Sequence, residues 1–225
     1  SAPIGVVVGF GKDQVEAAVR AESRYQAASI DFLVQAEQKG TGHAARCAMD
    51  ADWGKRMMRE KRAVLVLPGD LPLLTSELVR QVGETLGKSA ALRLLTCDLS
   101  DPAGYGRVVR KGRQGGVLRI VEEKDANLRE KSVKEVATSI YLFHGQFLSA
   151  GLARISNKNA QGEYYLTDLV SQASRSKKTI EVLKWPDIED LRGVNDPYEL
   201  GLAQQLLNTR VVRALARSGV FFRDL

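Results

Sequence analysis

A carboxylate stands directly after an apolar run with the composition of a β-strand. Residues 63–67 (AVLVL) are followed by Pro68, Gly69 and Asp70. In open α/β sheets, ligands bind outside the carboxyl ends of the strands, where Asp70 would lie. Its carboxylate could hold Mg²⁺ against the phosphates of a nucleotide, because this cation takes oxygen ligands. A turn that begins at Asp70 before the next helix explains the same residue equally well.

Two glycine-containing segments could bring their backbone close to a ligand. GTG at residues 40–42 precedes a helical pattern, and the N–H groups at a helix start can bind an anion or a base edge. Turns between strands and helices are often rich in glycine as well. GYG at residues 104–106 precedes a predicted hairpin. A turn with positive φ angles is the favoured interpretation there, and close approach to a ligand is the alternative.

Three further segments concentrate polar side chains near the ends of predicted elements. EEKD at residues 122–125 is either a solvated charge run or the source of a carboxylate for sugar hydroxyls. QGEYYLTD at residues 161–168 is either a sugar-contacting loop or the approach to a helix capped by Thr167 or Asp168. GVNDP at residues 193–197 favours a simple turn into a closing helix.

The composition is that of a soluble globular protein with one large α/β domain. The chain has 225 residues, of which 44% are hydrophobic and 27% charged. We find no apolar run long enough to span a bilayer and no signal-peptide pattern at the start, and we predict no membrane contact. Cys47 and Cys97 are far apart in sequence, which favours a reduced, cytoplasmic protein. Two histidines and two cysteines argue against a zinc site.

The basic charge favours anionic partners without choosing among them. The net charge is +6, which suits phosphates or nucleic acid. Arg210, Arg213 and Arg217 fall on one side of the closing helix, and we predict that they form a solvated basic face. No aromatic residues alternate with them, as a nucleic-acid stacking surface would need. We therefore predict no nucleic-acid partner, and an RNA-binding module is the most distant alternative.

Alternating strand and helix patterns predict a mainly parallel sheet with helices on both faces. The predicted strands are residues 4–10, 30–34, 63–67, 91–97, 107–110, 116–122, 136–143 and 179–183. The predicted helices are residues 13–21, 43–49, 74–86, 147–155, 165–174 and 197–216. Strands 4–10 and 63–67 have the continuous apolar composition of strands buried on both faces. Residues 111–115 form the turn of a predicted hairpin, and Thr75 or Ser76 is expected to cap the helix over residues 74–86.

Six segments, in order and with fitting spacing, resemble one bacterial enzyme family. They are VQAEQKGTGHA (34–44), PGDLPLLT (68–75), DPAGYGRVV (101–109), IVEEKDA (120–126), NAQGEYYLTD (159–168) and RGVND (192–196). The chain resembles, from Gly5 to its end, the uridylyltransferase domain of the bifunctional UDP-N-acetylglucosamine pyrophosphorylase and glucosamine-1-phosphate acetyltransferase. The ordered set is far more specific than any one segment.

The resemblance implies a fold and a reaction. The fold would be a Rossmann-like nucleotidyltransferase domain over residues 1–225, with a mixed, mainly parallel sheet, helices on both faces and a β-hairpin insertion. The enzyme would transfer UMP from UTP to N-acetylglucosamine-1-phosphate, releasing pyrophosphate, for cell-wall peptidoglycan precursors. The sugar phosphate would attack the α-phosphorus in line, which requires positioning and charge neutralisation rather than a covalent nucleophile.

The resemblance also implies the residues of the site. The uracil would be contacted by Gln35, Gly40 and Thr41. Mg²⁺ would be held by two residues that are also the catalytic ones, Asp70 and Asn195. The sugar and its N-acetyl group would be lined by Gly106, Glu122, Tyr165 and Thr167.

The sequence departs from the family in three places. The family's opening strand, in the middle of the sheet, and the glycine-rich loop after it are absent, so we expect this chain alone to lose most transfer activity and its fold to be compromised. Ala137-Thr138-Ser139 replaces the family's Asn-Thr-Gly, and the loss of an asparagine–sugar hydrogen bond costs about 1–3 kcal/mol if the ligand group is left unpaired. Residues 197–225 lead toward a left-handed β-helix domain that the chain lacks and on which the family's trimer depends.

Two other functions compete with this interpretation. A nucleotidyltransferase for another sugar phosphate, such as glucose-1-phosphate, is motivated by Ala137. A non-catalytic domain that binds a nucleotide sugar is motivated by Ala137 together with the missing loop.

Overall fold

The structure of the protein is a computed structural model that describes residues 2–23, 29–112 and 115–222. Its strands are β1 (Ile4–Val8), β2 (Ile30–Val34), β3 (Ala63–Val66), β4 (Ala90–Asp98), β5 (Gly106–Arg110), β6 (Val117–Val121), β7 (Glu135–His144) and β8 (Thr179–Lys184). Its helices are α1 (Lys12–Ala21), α2 (Thr41–Asp50), α3 (Asp52–Arg59), α4 (Ser76–Val82), α5 (Leu128–Lys131), α6 (Gly145–Leu152), α7 (Asp168–Arg175), a 3₁₀ helix (Ile188–Leu191) and α8 (Pro197–Arg217). No helix among these residues is both long and apolar enough to cross a membrane.

The described strands form two sheets. β1 and β2 pair in parallel, with Ile4 opposite Ile30 and Val8 opposite Val34. The larger sheet has the order β6-β5-β7-β4-β8, and β3 pairs with the second half of β7. β7 is antiparallel to β3, β4 and β5, whereas β4 and β8 are parallel. β3, β4, β5 and β8 therefore share one direction, which confirms the predicted mixed α/β fold.

The two sheets are not joined by a ladder within the described residues. β1 pairs with β2, and β3 pairs with β7.

Both faces of the larger sheet carry helices and a packed core. Alternate residues of β7 point to opposite faces. Tyr141 and Phe143 pack in the cluster that contains residues of α2, α3, α6 and α7. Ile140 and Leu142 pack in a second cluster with Leu78 of α4. Burial of each such large side chain contributes about 1.5–3 kcal/mol relative to exposure. Because its residues pack in both clusters, β7 is the strand that joins the two halves of the core.

The predicted burial of two strands is wrong. In β1 only Val8 is fully buried, and in β3 only Val64 is. The most deeply buried strands are instead β4 and β7. Burial depends on what covers each face and edge: β1 lies in a two-stranded sheet and β3 pairs only with β7 among the described strands. An apolar composition does not contain that information.

Helix ends and two short helices differ from the prediction. Thr75 caps α4 as expected, since its Oγ1 accepts a hydrogen bond from the Leu78 N–H at 3.2 Å, but α4 ends at Val82. α6 and α7 also begin and end at different residues than predicted. α3 was not predicted because Gly54 interrupts its helical pattern. Packing explains the glycine, since a Cβ at this position would lie only 2.3 Å from the Met49 Cα.

The predicted hairpin is present, and a missed helix follows it. β5 and β6 pair antiparallel, and the Lys111 N–H donates to the Gly116 oxygen at 3.0 Å. Of the predicted turn over residues 111–115, positions 113 and 114 lie outside the described residues. α5 begins with a capping box in which Asn127 and Glu130 bond each other's backbone. That sequence signal was available and could have predicted α5.

The closing helix is anchored by an arginine that the sequence placed in solvent. Arg210 Nη2 lies 2.7 Å from Asp190 Oδ1, and Arg210 Nη1 donates to the Leu73 oxygen at 2.9 Å. Asp190 is 8% exposed and also accepts a hydrogen bond from Trp185 Nε1 at 2.8 Å. The predicted solvated face is therefore wrong for Arg210, while Arg213 is exposed as expected.

We expect Arg210→Met to lower the free energy of unfolding by about 2 kcal/mol, because it leaves the Asp190 carboxylate buried without its charge partner. Arg213→Met on the same helix is the matched control and should change it by less than about 0.5 kcal/mol. Urea unfolding at neutral pH measures both variants. Equal effects of the two substitutions would contradict the anchoring role.

Candidate functional site

The chain brings Asp70 and Asn195 onto neighbouring segments. Asp70 follows β3 and is exposed at the carboxyl edge of the sheet. The Val194 N–H donates to the Asp70 backbone oxygen at 2.9 Å. Asp70 Oδ2 also lies 3.4 Å from the position that a Cβ would take on Gly193. The segment before α8 is therefore packed against the residue that follows β3, as a shared site requires.

The side chain of Asn195 is oriented by Glu199. The Asn195 backbone N–H and Nδ2 donate to Glu199 Oε2 at 2.6 and 3.1 Å. Because the amide nitrogen faces Glu199, Oδ1 is the atom that Asn195 can offer to a cation or a donor. Asp70 and Asn195 are both exposed. Their oxygens are accessible to a ligand at this edge of the sheet.

Within the described part of the chain, no group of three or more His, Cys, Asp or Glu residues is arranged to hold a metal ion. Asp70 and Asn195 supply two oxygen donors. A pair of this kind suits a cation whose other ligands are phosphate oxygens and water, which is how Mg²⁺ usually binds beside nucleotides.

Tyr105 lies within the electrostatic influence of the same edge. Burial raises the pKa of its phenol, and the negative charges of Glu199 and Asp70 raise it further against the opposing effect of Arg192. The hydroxyl therefore stays protonated across the physiological range. The sequence indicated a glycine turn at this position and missed the tyrosine.

The segment predicted to contact the nucleotide is hydrogen-bonded to the segment predicted to contact the sugar. The Gly42 N–H donates to the Tyr164 oxygen at 2.8 Å, and the Tyr164 N–H donates to the Lys39 oxygen at 2.8 Å. The Leu166 N–H donates to Thr41 Oγ1 at 3.1 Å. We call these three hydrogen bonds the loop clamp. They join residues 39–42 at the start of α2 to residues 164–166 before α7.

Gln35 and Gly40 lie on the nucleotide side of the loop clamp. Gly40 has φ of 94°, and a Cβ on it would lie 2.8 Å from the Tyr164 oxygen, so only glycine fits without a shift. Gln35 Nε2 donates to the Gly40 oxygen at 3.2 Å and lies 3.0 Å from His43 Nδ1. The structure thus brings Gln35, Gly40 and Thr41 together, and it adds His43, which the sequence did not single out.

Gln35 also borders an open pocket of about 580 Å³. Phe10, which is 94% exposed, and Lys12 line the same pocket. A second open pocket of about 550 Å³ lies against Arg93 and Glu181 and contains none of the predicted site residues. The first pocket is the one that adjoins the predicted site.

Glu122, Thr167 and Gly106 meet on the sugar side. Thr167 Oγ1 donates to Glu122 Oε1 at 2.7 Å. A Cβ on Gly106 would lie 3.2 Å from Glu122 Oε2 and 2.8 Å from Ile120 Cγ2. Thr167 occupies the N-cap position of α7, but its side chain makes no cap hydrogen bond. The solvated-run interpretation of Glu122 and the helix-cap interpretation of Thr167 are therefore wrong for these side chains.

The sugar side holds acids in a partly buried environment. Burial raises the pKa of the Glu122 carboxyl; the hydrogen bond from Thr167 opposes this shift, and nearby acids add to it. Those acids are Asp125, Asp168 and Glu163. Tyr165 is 9% exposed, its hydroxyl donates to Gln161 Oε1 at 3.1 Å, and burial beside Asp125 raises its pKa. The arrangement offers carboxylate acceptors and neutral hydroxyls, which suits a polyhydroxylated ligand.

Ala137 borders the same region. It lies opposite Gly106 in the register of β5 and β7 and is 5% exposed. Its methyl group offers no hydrogen bond at this position. Ser139, two residues later, is exposed and has φ of 60°.

We expect Thr41→Val to lower the free energy of unfolding by about 1–3 kcal/mol, because the Leu166 N–H loses its acceptor. Thr41→Ser keeps the hydroxyl and is the matched control. Urea unfolding and hydrogen exchange of the Leu166 amide provide the measurements. Unchanged protection of that amide in Thr41→Val would show that the loop clamp does not depend on this side chain.

No protein-family model matches the chain. Among curated proteins, the bifunctional protein GlmU of Sorangium cellulosum is 39% identical over 220 residues, which are 97% of this chain and 45% of that protein. The GlmU of Fervidobacterium nodosum is 40% identical over 222 residues, covering 98% of this chain and 45% of that protein. The chain thus spans about 45% of the length of these curated relatives.

Two solved structures share the fold. UDP-glucose pyrophosphorylase complexed with UDP-glucose gives a TM-score of 0.61 at 14% identity, covering 83% of this chain and 76% of that chain. A protein described as a glucose-1-phosphate thymidylyltransferase from Bacillus anthracis gives 0.62 at 18% identity, covering 98% and 78%. These identities establish the fold alone. The 38–40% identity to several GlmU proteins carries the relationship further: over nearly all of its length, the chain belongs to the family of the bifunctional GlmU proteins, of which it matches about 45%.

Proposed function

We propose that the protein transfers UMP from UTP to N-acetylglucosamine-1-phosphate, giving UDP-N-acetylglucosamine and pyrophosphate. The similarity to GlmU proteins and the fold shared with sugar nucleotidyltransferases support this reaction. The observation that carries it is the loop clamp, because it joins the segments suited to a base and to a sugar. A nucleotidyltransferase must hold both substrates side by side, since proximity and orientation account for much of the rate.

In this proposal, the phosphate oxygen of the sugar phosphate attacks the α-phosphorus of UTP in line, and pyrophosphate leaves. Phosphoryl-type transfer requires little covalent chemistry from the protein. Gln35, Gly40 and Thr41 hold the uracil. Glu122 and Thr167 accept and orient sugar groups, and Gly106 leaves room beside them.

A divalent cation, for which we propose Mg²⁺, would be held by Asp70 and Asn195. When bound, it would neutralise negative charge on the phosphates. The protein's part is to present two side-chain oxygens on neighbouring segments at this edge of the sheet. The hydrogen bond from the Val194 N–H to Asp70 fixes the two segments, and Glu199 holds the amide of Asn195 with Oδ1 outward.

We further propose that the chain forms one nucleotidyltransferase domain of a cytoplasmic, peptidoglycan-precursor enzyme, with UTP and the sugar phosphate as its partners. α8 would lead from this domain toward a β-helix domain, on which any trimer would depend. The free thiols of Cys47 and Cys97 support a reducing compartment.

One observation favours a second candidate, transfer to a different sugar phosphate. Ala137 borders the region of Gly106 and cannot donate or accept a side-chain hydrogen bond. Pyrophosphate release with N-acetylglucosamine-1-phosphate and with glucose-1-phosphate, in the full natural protein, separates the two. A strong preference for the N-acetyl sugar supports the first candidate, and the reverse preference supports the second. No release with either, together with tight binding of a UDP-sugar, would instead indicate a non-catalytic binding domain.

We expect Asp70→Asn to lower the rate of pyrophosphate release by roughly 100-fold or more, because it removes the charged oxygen that would hold the cation beside the phosphates. Excess Mg²⁺ should restore part of the rate if the lost group is a cation ligand. Asp52→Asn, at an exposed position in α3, is the control and should leave the rate unchanged. A normal rate in Asp70→Asn at limiting Mg²⁺ would exclude Asp70 from the site.

The pKa of Glu122 is raised and that of its neighbour Glu123 is lowered. We therefore expect the two carboxylates to affect the free energy of unfolding with opposite signs at neutral pH. Because its pKa is higher in the folded than in the unfolded protein, ionised Glu122 opposes folding, and the native state regains stability as pH falls through the folded value. Glu122→Gln should therefore be more stable than the wild type at pH 7.5. The difference should vanish below the ordinary glutamate value of 4.5.

Glu123→Gln is the matched comparison. A hydrogen bond from the Arg107 guanidinium lowers the pKa of Glu123, so ionised Glu123 favours folding above its ordinary pKa. This variant should be less stable than the wild type at pH 7.5, and the difference should shrink as pH falls. Thermal unfolding at several pH values tests both variants, and effects of the same sign at pH 7.5 would contradict the assignment.

A further inference from the structure

The side-chain amide of Gln35 has a defined orientation. Its Nε2 lies 3.2 Å from the Gly40 backbone oxygen. A carbonyl oxygen only accepts hydrogen bonds, so the nitrogen end of the amide must face it. The same Nε2 lies 3.0 Å from His43 Nδ1. Both hydrogens of the amide nitrogen therefore have acceptors within the protein.

This orientation fixes the tautomer of His43. The amide nitrogen of Gln35 only donates, so His43 Nδ1 must accept and the ring proton resides on Nε2. His43 Nε2 lies 3.8 Å from Cys47 Sγ, one turn further along α2. Sulfur is a weak acceptor, and it is the group that this proton meets. A continuous chain of donors and acceptors thus runs from Cys47 through His43 and Gln35 to Gly40.

The chain of hydrogen bonds leaves one atom of the amide for a ligand. No described residue donates a hydrogen bond to Gln35 Oε1. If the amide turned over, Oε1 would face the Gly40 oxygen, which is repulsive, and it would also face the lone pair of His43 Nδ1 unless the ring proton moved from Nε2 to Nδ1. Gln35 therefore presents an acceptor and not a donor at the proposed base site.

A hydrogen-bond acceptor at this position distinguishes pyrimidines by whether their ring nitrogen N3 carries a hydrogen. Uracil carries a hydrogen on N3, whereas N3 of cytosine carries a lone pair. A ligand that leaves a buried or half-buried polar group of the protein unpaired binds more weakly, so such a group discriminates strongly between two similar ligands. The orientation of Gln35 matches uracil and opposes cytosine.

We propose that His43 is a positioning residue that holds the Gln35 amide with Oε1 toward the nucleotide and thereby selects a base with a ring N–H over cytosine. This inference rests on the proposed nucleotide site. It adds a residue that acts through Gln35 and does not itself touch the base.

The test compares UTP and CTP in the full natural protein, by pyrophosphate release and by equilibrium binding. His43→Ala removes one of the two acceptors that hold the amide nitrogen and leaves only the longer contact to the Gly40 oxygen, so the amide turns more readily. The UTP/CTP ratio of kcat/KM should then fall about tenfold, mainly through KM. His43→Asn places a carbonyl oxygen near the former Nδ1 and should restore most of the ratio. Asp50→Ala, an exposed position at the other end of α2, is the control and should keep the wild-type ratio.

Equal losses for UTP and CTP in His43→Ala would show a merely structural role and overturn the inference. An unchanged ratio would also overturn it, because the Gly40 oxygen alone would then orient the amide. If His43→Ala does not fold, nitrogen NMR of the wild-type imidazole decides: a protonated Nδ1 in the neutral ring would overturn it. Wild-type protein that binds UTP and CTP equally would also overturn it. Selective binding of UTP without pyrophosphate release would remove the transfer reaction while supporting the role of His43.

Discussion

The absence of side chains at two glycines allows the rest of the site to assemble. A Cβ on Gly42 would lie 2.5 Å from Ile155 Cδ1 and 2.9 Å from the Tyr164 oxygen, and a Cβ on Gly40 would meet Glu163 at 2.8 Å. Only without those atoms can the start of α2 approach the segment before α7 closely enough for backbone hydrogen bonds. The loop clamp then determines where His43 and Gln35 lie on one side. On the other side it determines how Tyr165 and Thr167 enter α7.

The two ends of the proposed site differ in charge, and the difference would order a ligand that carries both a phosphate and a sugar. The protein as a whole has a net charge of +6, yet acids cluster on the sugar side: Asp125, Asp168 and Glu163 add to the raised pKa of Glu122, and Asp125 adds to that of Asp168. A phosphate placed there would be repelled, whereas sugar hydroxyls can donate to the carboxylates. The exposed pair of Asp70 and Asn195 can accommodate phosphate only with a cation between them. A bound ligand is thereby directed to one orientation.

The sequence predicted the strands well because apolar residues are concentrated in short stretches of the chain, as in β2 and β4. It failed where the outcome depends on distant contacts. The helical pattern of α3 is broken by Gly54, where any side chain would clash with the backbone of Met49. Glu122 and Thr167 remained ambiguous in sequence because each acquires its partner from a segment 45 residues away. Six segments in order led to a prediction for both residues, since together they carry the spacing that no single segment has.

The backbone around Ala137 shows why the side chain at position 137 can change while the fold persists. Between Leu94 and Thr96 of β4 the register with β7 shifts, and β7 spans the interval from Tyr141 to Ala137, so it carries two extra residues there. Ser139 adopts φ of 60° within this bulge, which costs a non-glycine residue about 1 kcal/mol. Thr138 Oγ1 donates to the Leu95 oxygen at 3.0 Å and satisfies a carbonyl that the shifted ladder would leave unpaired.

The direction of residue 137 is thus determined by its two neighbours and by its pairing with Gly106, and not by its own side chain. An alanine there keeps the bulge and the pairing, and it removes only the polar group that would face the sugar. Under the proposed function, a change at this residue would therefore alter which sugar is accepted without disturbing the strand that joins the two halves of the core.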